Sequence, residues 1–285
     1  MPATVIIPAR LGSTRFPEKM LADRTGKPLV QHVVDRVMQC KRVDRVIVAT
    51  DHARIAEALR PFGTTVAMTD PNHPSGTDRI AEVARRLGDD VSAQMLINVQ
   101  GDEPEIDPTL IDRLVERLEA DPNQNMVTAA VKFPRKLDVN NPNHVKVVMS
   151  QVEQDGVTEN AGRAIYFSRW PVPYVREMTE VPVGHLLHLG IYGYRRSFLL
   201  RYASWRPTPL EQAEKLEQLR AIEHGVSIGV VVVGQASNGI DTPEQYEEFV
   251  QRYAQNKAQN EAQNEAQNEA PLERGATGTI SQVTG

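Results

Sequence analysis

Thr4-Val5-Ile6-Ile7-Pro8-Ala9-Arg10-Leu11-Gly12-Ser13-Thr14-Arg15-Phe16-Pro17-Glu18-Lys19 stands at the start of the chain. Thr4 to Ile7 is a short apolar, β-branched run and reads as a buried strand that passes directly into a loop holding three cations. Outward from it, Leu29, Val30, Val33, Val34, Val37 and Met38 recur at three- and four-residue intervals, with Pro28 suited to a first turn, and predict a helix. Arg45 to Thr50 reads as the next strand, Ala53 to Leu59 as a helix and Thr64 to Met68 as a short strand. A further helix carries Ile80, Val83, Ala84 and Leu87 on one face. Met95 to Val99 then reads as a strand, and Leu110, Ile111, Leu114, Val115 and Leu118 as a helix. Strands that alternate with crossover helices predict an α/β fold, with a mixed, mainly parallel sheet and helices on both faces, doubly wound through about Leu118.

Beyond Leu118 the alternation loosens. Strands are expected at Met126 to Val131, His144 to Met149, Arg163 to Phe167 and Leu187 to Tyr194, an amphipathic helix at Leu210 to Ile222, and a buried strand at Val226 to Val233. Thr242-Pro243-Glu244 has the form of a helix start. No linker divides the halves, so residues 1–253 read as one domain, with a small insertion around Pro134 to Pro182. From Ala254 the chain turns into a four-residue repeat, Ala-Gln-Asn-Lys and then Ala-Gln-Asn-Glu three times. Its only apolar residue is alanine, so residues 254–285 read as a low-complexity tail, a fraying helix or disorder, outside the chemistry.

Of the 285 residues 40% are hydrophobic and 24% charged, a globular composition. The net charge of −5 offers no long-range attraction to a nucleic-acid backbone, so any bound anion must be held by local cations. A single cysteine, Cys40, excludes an internal disulfide and a Cys-rich zinc site and suits the cytoplasm. The N-terminus lacks the basic start and apolar run of a secretory signal. No window approaches the roughly 20 apolar residues of a membrane helix, so no membrane span is expected.

In open α/β sheets ligands bind beyond the carboxyl ends of strands, which is where the loop after Ile7 lies. Arg10, Arg15 and Lys19 supply charge there, and Gly12, Ser13 and Thr14 supply backbone donors and hydroxyls, a set suited to phosphate. The alternative is a solvated basic loop. The loop fits neither the GxxxxGK[ST] nor the GxGxxG pattern, which removes the usual support for an ATPase or a dehydrogenase. The strand from Met95 ends in Gln100-Gly101-Asp102-Glu103-Pro104, where a carboxylate after a close-approach glycine is placed to hold Mg2+ against phosphates. A second candidate is Asp241 in Gly239-Ile240-Asp241-Thr242-Pro243, for which helix capping is the alternative. Ser75-Gly76-Thr77-Asp78-Arg79 is either a helix cap, through Ser75 or Thr77, or a small turn that admits the base of a nucleotide, or both.

The stretches PARLGSTRFPEK, ATDH (Ala49 to His52), SGTDRIAEV, INVQGDEP, NPNHVKVV (Asn141 to Val148), IYFSR (Ile165 to Arg169), HLGIYGYR (His188 to Arg195), PLEQAEKLEQLR (Pro209 to Arg220) and IDTPE (Ile240 to Glu244) run in one order from about Ala3 to Tyr253. Together they resemble the 3-deoxy-manno-octulosonate cytidylyltransferase, or CMP-Kdo synthetase, family. The resemblance implies a nucleotide-diphospho-sugar transferase-like fold and CMP transfer from CTP to the sugar acid Kdo, for lipopolysaccharide synthesis. It assigns Ala9, Arg10, Ser13, Thr14, Arg15 and Lys19 to the CTP phosphates, with Arg10, Arg15 and Lys19 as catalytic cations, and Ser75, Gly76 and Arg79 to the nucleoside. Asp102 and Asp241 become the ligands of a Mg2+ cofactor, and Gln100, Arg176, His188, Tyr192, Glu217 and Gln218 the sugar-acid contacts. A homodimer is implied as well. Three features depart from the pattern: Leu187 stands where some members carry Arg, the stretch Gln154 to Arg163 differs in length, and the Gln- and Asn-rich tail is extra. An acceptor related to Kdo, 8-amino-Kdo or a sialic acid, is the alternative these leave open. A transferase of the same fold with another acceptor is disfavoured by HLGIYGYR and PLEQAEKLEQLR, and an inactive nucleotide sensor by the intact Asp102, Asp241 and Lys19.

Overall fold

The computed structural model describes residues 2–88, 90, 93–153, 156–157, 160–176, 184–237 and 239–269. Met1–Thr242 forms one compact unit and Pro243–Gly285 a second. In the first, β1 (Ala3–Ala9), α1 (Leu29–Val37), β2 (Val43–Thr50), α2 (Ala53–Leu59), β3 (Val66–Met68), α3 (Gly76–Arg86), β4 (Met95–Asn98), α4 (Pro108–Ala120) and β5 (Met126–Lys132) alternate as the periodicity predicts. There follow β6 (Lys146–Ser150), the short hairpin β7 (Val152–Glu153) and β8 (Gly156–Val157), β9 (Ala161–Ser168), β10 (Leu186–Arg195), α5 (Arg196–Tyr202), α6 (Pro209–Glu214), α7 (Gln218–Glu223) and β11 (Ile228–Val233).

Among the described residues the main sheet has nine strands in the order β3-β2-β1-β4-β10-β5-β11-β9-β6. Pairings β1–β2, β1–β4, β2–β3 and β5–β11 are parallel. Strand β10 runs antiparallel between β4 and β5 and joins the parallel β3-β2-β1-β4 half to a mixed half in which β11–β9 and β9–β6 are antiparallel. Alternate residues of each strand feed opposite faces. Val5, Ile7, Met95 and Ile97 pack with α1 and α4 in one core, while Ile6, Leu96 and Tyr194 pack with α3, α5 and α7 in the other. Each fully buried aliphatic side chain here contributes about 1.5–3 kcal/mol, which explains why the amphipathic helices settle on both faces.

Three expectations are corrected and one helix is added. The described residues between Pro134 and Pro182 do not stand apart as an insertion, because β6 and β9 extend the main sheet; residues 154–155, 158–159 and 177–183 lie outside the described ones. The strand expected from His144 starts at Lys146, since Asn141 turns the chain by accepting from the Asn143 amide at 2.9 Å. The single helix expected over Leu210 to Ile222 is two, broken at Lys215 in the left-handed region (φ 54°). A capping box between Thr208 and Glu211 starts α6, and the buried Arg220–Glu211 ion pair clamps α6 to α7 across the break. Helix α5, unread in the sequence, follows β10 without a loop and buries Phe198, Leu199 and Tyr202.

The second unit holds α8 (Pro243–Glu269), which begins where Thr242-Pro243 predicts and runs through the change of composition at Ala254. Tyr246, Phe249 and Tyr253 form tilted ring contacts along it, and i,i+4 pairs Glu248–Arg252 and Lys257–Glu261 line it at 3.8 and 3.9 Å. The tail from residue 270 lies outside the described residues.

Candidate active site

Strand β1 delivers Pro8 to the carboxyl edge of the sheet, and the loop that follows, with the α3 N-terminus and the ends of β4 and the Asp241 loop, encloses a cleft of about 790 Å3. Arg10, Gly12, Ser13, Thr14, Arg15 and Lys19 line it from one side, and Ser75, Gly76, Gln100 and Asp241 from the others. The glycine before Asp102 has the expected role: a Cβ on Gly101 would lie 3.1 Å from the Pro8 carbonyl oxygen and 3.1 Å from Met20 Sδ, so only glycine lets the β4 end approach the β1 loop without displacing it. Ser75 caps α3, its Oγ accepting from the Asp78 amide at 3.2 Å. Capping and a place at the cleft therefore both hold for this turn.

Lys19 joins three distant parts of the chain. It is 8% exposed, and its ammonium donates to Asp102 Oδ2 at 2.6 Å, to Asp241 Oδ1 at 3.0 Å and to the Ile240 carbonyl at 2.9 Å. Arg15 holds the other Asp241 oxygen, Nη2 to Oδ2 2.9 Å. Asp241 is thus an ion-pair centre and not simply the residue ahead of a helix. The two carboxylates converge on one point, as a shared cation requires, and two protein carboxylates are what magnesium typically takes when substrate phosphates complete its shell. No group of three or more His, Cys, Asp or Glu suited to a metal occurs among the described residues.

A second group of expected residues lies on the face of the sheet toward α3 and α7. His188 and Tyr192 project from β10 with ring centroids 5.5 Å apart, and Phe167 meets His188 edge-on at 4.9 Å. Burial lowers the His188 imidazole to about 3, although the residue keeps some accessible surface. The ring is therefore neutral at physiological pH, sharing a 3.0 Å hydrogen bond with the Thr128 hydroxyl. Burial, with Tyr202 and Glu217 nearby, also pushes the Tyr192 phenol well up, so it stays protonated. The strand irregularity between Leu189 and Tyr192 leaves Gly190 without a partner on β5, and its carbonyl accepts from Gln100 Nε2 at 3.1 Å. Glu217, brought in by the break before α7, accepts from Thr77 Oγ1 at 2.8 Å, and Tyr202 OH donates to its carbonyl at 2.6 Å. Thr77 follows Ser75 and Gly76 of the cleft, so the Ser75–Thr77 turn is in direct contact with Glu217. Gln218 is buried with Nε2 unpartnered.

Three expected residues are placed differently. Ala9 is buried at the end of β1, leaving only its backbone for a ligand. Arg79 is 0% exposed, with its guanidinium committed to Asp51 Oδ2 at 2.7 Å and Thr69 Oγ1 at 2.5 Å; it braces the start of α3 against the end of β2 and does not line the cleft. Arg176 is exposed, and no described contact joins it to His188, Tyr192 or Glu217.

The cytidylyltransferase family profile matches residues 4–228. A 3-deoxy-manno-octulosonate cytidylyltransferase from Geobacter sulfurreducens is 46% identical over 261 residues, 88% of this chain and 99% of the relative. The chain belongs to the 3-deoxy-manno-octulosonate cytidylyltransferase family. The enzyme of that name from Syntrophobacter fumaroxidans is 46% identical over 245 residues, 86% of this chain and 94% of its own. Among solved structures, a CMP:2-keto-3-deoxy-manno-octonic acid synthetase complexed with CTP superposes with TM-score 0.80 at 38% identity, covering 90% of this chain and all of that one. A 4-diphosphocytidyl-2C-methyl-D-erythritol synthase from Anaerococcus prevotii shares the fold alone (TM-score 0.54, 12% identity, 89% and 96% covered). The expected nucleotidyltransferase-like α/β fold is borne out.

Sequence reasoning passed over Asp51 and Glu103 in this cytidylyltransferase and gave Thr77 only a capping role. Glu103 accepts from Ser237 Oγ at 3.0 Å, and burial beside the Asp102 charge pushes its carboxyl up to about 7. Its place in the GDEP stretch was the available signal. Thr77 was read as a cap, and nothing in the sequence pairs it with a residue 140 positions on.

Proposed function

We propose that the chain transfers CMP from CTP to the anomeric hydroxyl of Kdo, releasing pyrophosphate. The observation that carries this is the convergence of Asp102, Asp241, Lys19 and Arg15 at a cleft that shares the Ser75–Thr77 turn with the group formed by His188, Tyr192 and Glu217. Arg10, Arg15 and Lys19 face the triphosphate and stabilise charge as pyrophosphate leaves. Magnesium held by Asp102 and Asp241 would neutralise phosphate charge and lower the pKa of the attacking hydroxyl, so no dedicated protein base is required. Ser75 and Gly76 orient the nucleoside. Gln100, Tyr192, His188, Glu217 and Gln218 offer donors and acceptors to the sugar hydroxyls. The neutral His188 cannot pair the sugar carboxylate, so that charge needs a cation, for which Arg176 is proposed. No helix among the described residues is long and apolar enough to cross a membrane; a cytoplasmic homodimer that supplies lipopolysaccharide synthesis completes the proposal.

The test is a panel of Kdo, 8-amino-Kdo and a sialic acid with CTP, ATP, UTP and GTP, scored by pyrophosphate release. Turnover with CTP and Kdo above every other pair is expected. Preference for another acid moves the acceptor to that acid, and preference for another nucleotide refutes the proposal.

A further inference from the structure

We propose that Lys19 is a cationic place-holder: in the free protein its ammonium keeps Asp102 and Asp241 together, and binding of nucleotide with a divalent cation transfers the carboxylates to the cation and the ammonium to the phosphates. The inference rests on reading Asp102 and Asp241 as the cation's ligands. All three ammonium protons are used, on Asp102 Oδ2, Asp241 Oδ1 and the Ile240 carbonyl. Arg15 takes the remaining Asp241 oxygen. Two carboxylates thus face two cations, a balance of charge equal to that which one divalent ion would supply. An ion that arrives alone must break these pairs and leave a buried ammonium beside it, which like-charge repulsion opposes. When polyphosphate arrives too, the displaced ammonium and guanidinium find oxygens of opposite charge. The site is therefore built to bind cation and nucleotide together, and by linkage each must tighten the other. The backbone at Lys19 is fixed: Glu18 before it is left-handed (φ 55°) and its carboxylate pairs with Arg54 at the start of α2. The exchange needs rotation of the Lys19 and Arg15 side chains.

Mn2+ binding to the nucleotide-free full chain, read by the electron paramagnetic resonance of free Mn2+, tests this without turnover. Lys19→Met should bind Mn2+ alone about tenfold or more tightly than the wild type, the scale of one charge-assisted hydrogen bond removed from competition. Arg15→Ala, at a side chain 66% exposed that leaves the fold intact, should move the affinity the same way by less. In the wild type, adding Mn2+ should lower the CTP Kd, and in Lys19→Met by a smaller factor. Adding Asp102→Asn to Lys19→Met should abolish the tight binding. If both single variants bind Mn2+ no better than wild type, the place-holder role is refuted. If Lys19→Met gains affinity that Asp102→Asn leaves untouched, the ligand assignment itself is wrong and the inference falls with it.

Discussion

Replacing Thr77 by Val removes one hydroxyl and tests the joint between the two halves of the site. Thr77 is 9% exposed in the first turn of α3, and its Oγ1 donates to Glu217 Oε2 at 2.8 Å. Val has nearly the same shape and the same β-branching, so α3 keeps its packing and loses little helix preference. A hydrogen bond to a charged acceptor contributes about 1.5–3 kcal/mol. Glu217 is only half-buried and water replaces part of the lost bond, which puts the cost near the lower bound, about 1.4 kcal/mol or a factor of ten. In the proposed site the affected group orients the sugar and not the triphosphate. Steady-state pyrophosphate release, with each substrate varied in turn, should therefore show a sugar KM raised about tenfold and a CTP KM little changed. Glu217→Gln should move the same parameter. A rise in the CTP KM alone would place Thr77 in the nucleotide site, and no change in either would remove Glu217 from the sugar contacts.

Asp102→Asn and Asp241→Asn each remove a charged ligand and should lower turnover by orders of magnitude while circular dichroism stays that of the wild type; a folded Asp102→Asn enzyme with full turnover would contradict the metal assignment. Truncation after Tyr253 should leave activity nearly unchanged, because the repeat presents only alanine as an apolar residue and Ala254 to Gln259 are exposed; a soluble, inactive product would show that the tail serves the site. Burial, reinforced by the Lys27 charge, lowers the His32 imidazole from 6.5 to about 4. Between these values the unfolded chain takes up a proton that the fold refuses, so stability present above pH 6.5 is lost as pH falls, by about 2 kcal/mol at pH 5. Urea unfolding at pH 7 and pH 5 should show His32→Gln losing less stability than wild type over that interval, and an equal loss would count against the shift.

The strand, the loop and the βαβ alternation through α4 were legible because periodicity is local: Val5, Ile7, Val30 and Val33 announce their faces within a few residues. What was not legible depends on contacts between distant residues. Lys19 meets Asp102 83 positions later and Asp241 222 positions later, and no spacing rule joins them; both carboxylates were candidates and the family resemblance paired them, but Lys19 was expected on the phosphates and not between the carboxylates. The break at Lys215 escaped because the apolar period continues through it, and a left-handed lysine carries no mark of its own. Arg79 was expected at the nucleoside through the family resemblance, but burial and the Asp51 partner turn it inward. The antiparallel β10 looks like any other apolar strand until its partners are known, yet it positions His188 and Tyr192.

The central claim, direct CMP transfer to Kdo, is tested most directly by following CTP and Kdo with the purified protein and Mg2+ by phosphorus NMR. One CMP-Kdo should form for each pyrophosphate released, with no free CMP and with the reaction stopped by a chelator and restored by Mg2+. Pyrophosphate accompanied by free CMP in place of the sugar nucleotide, or no consumption of CTP, would contradict it.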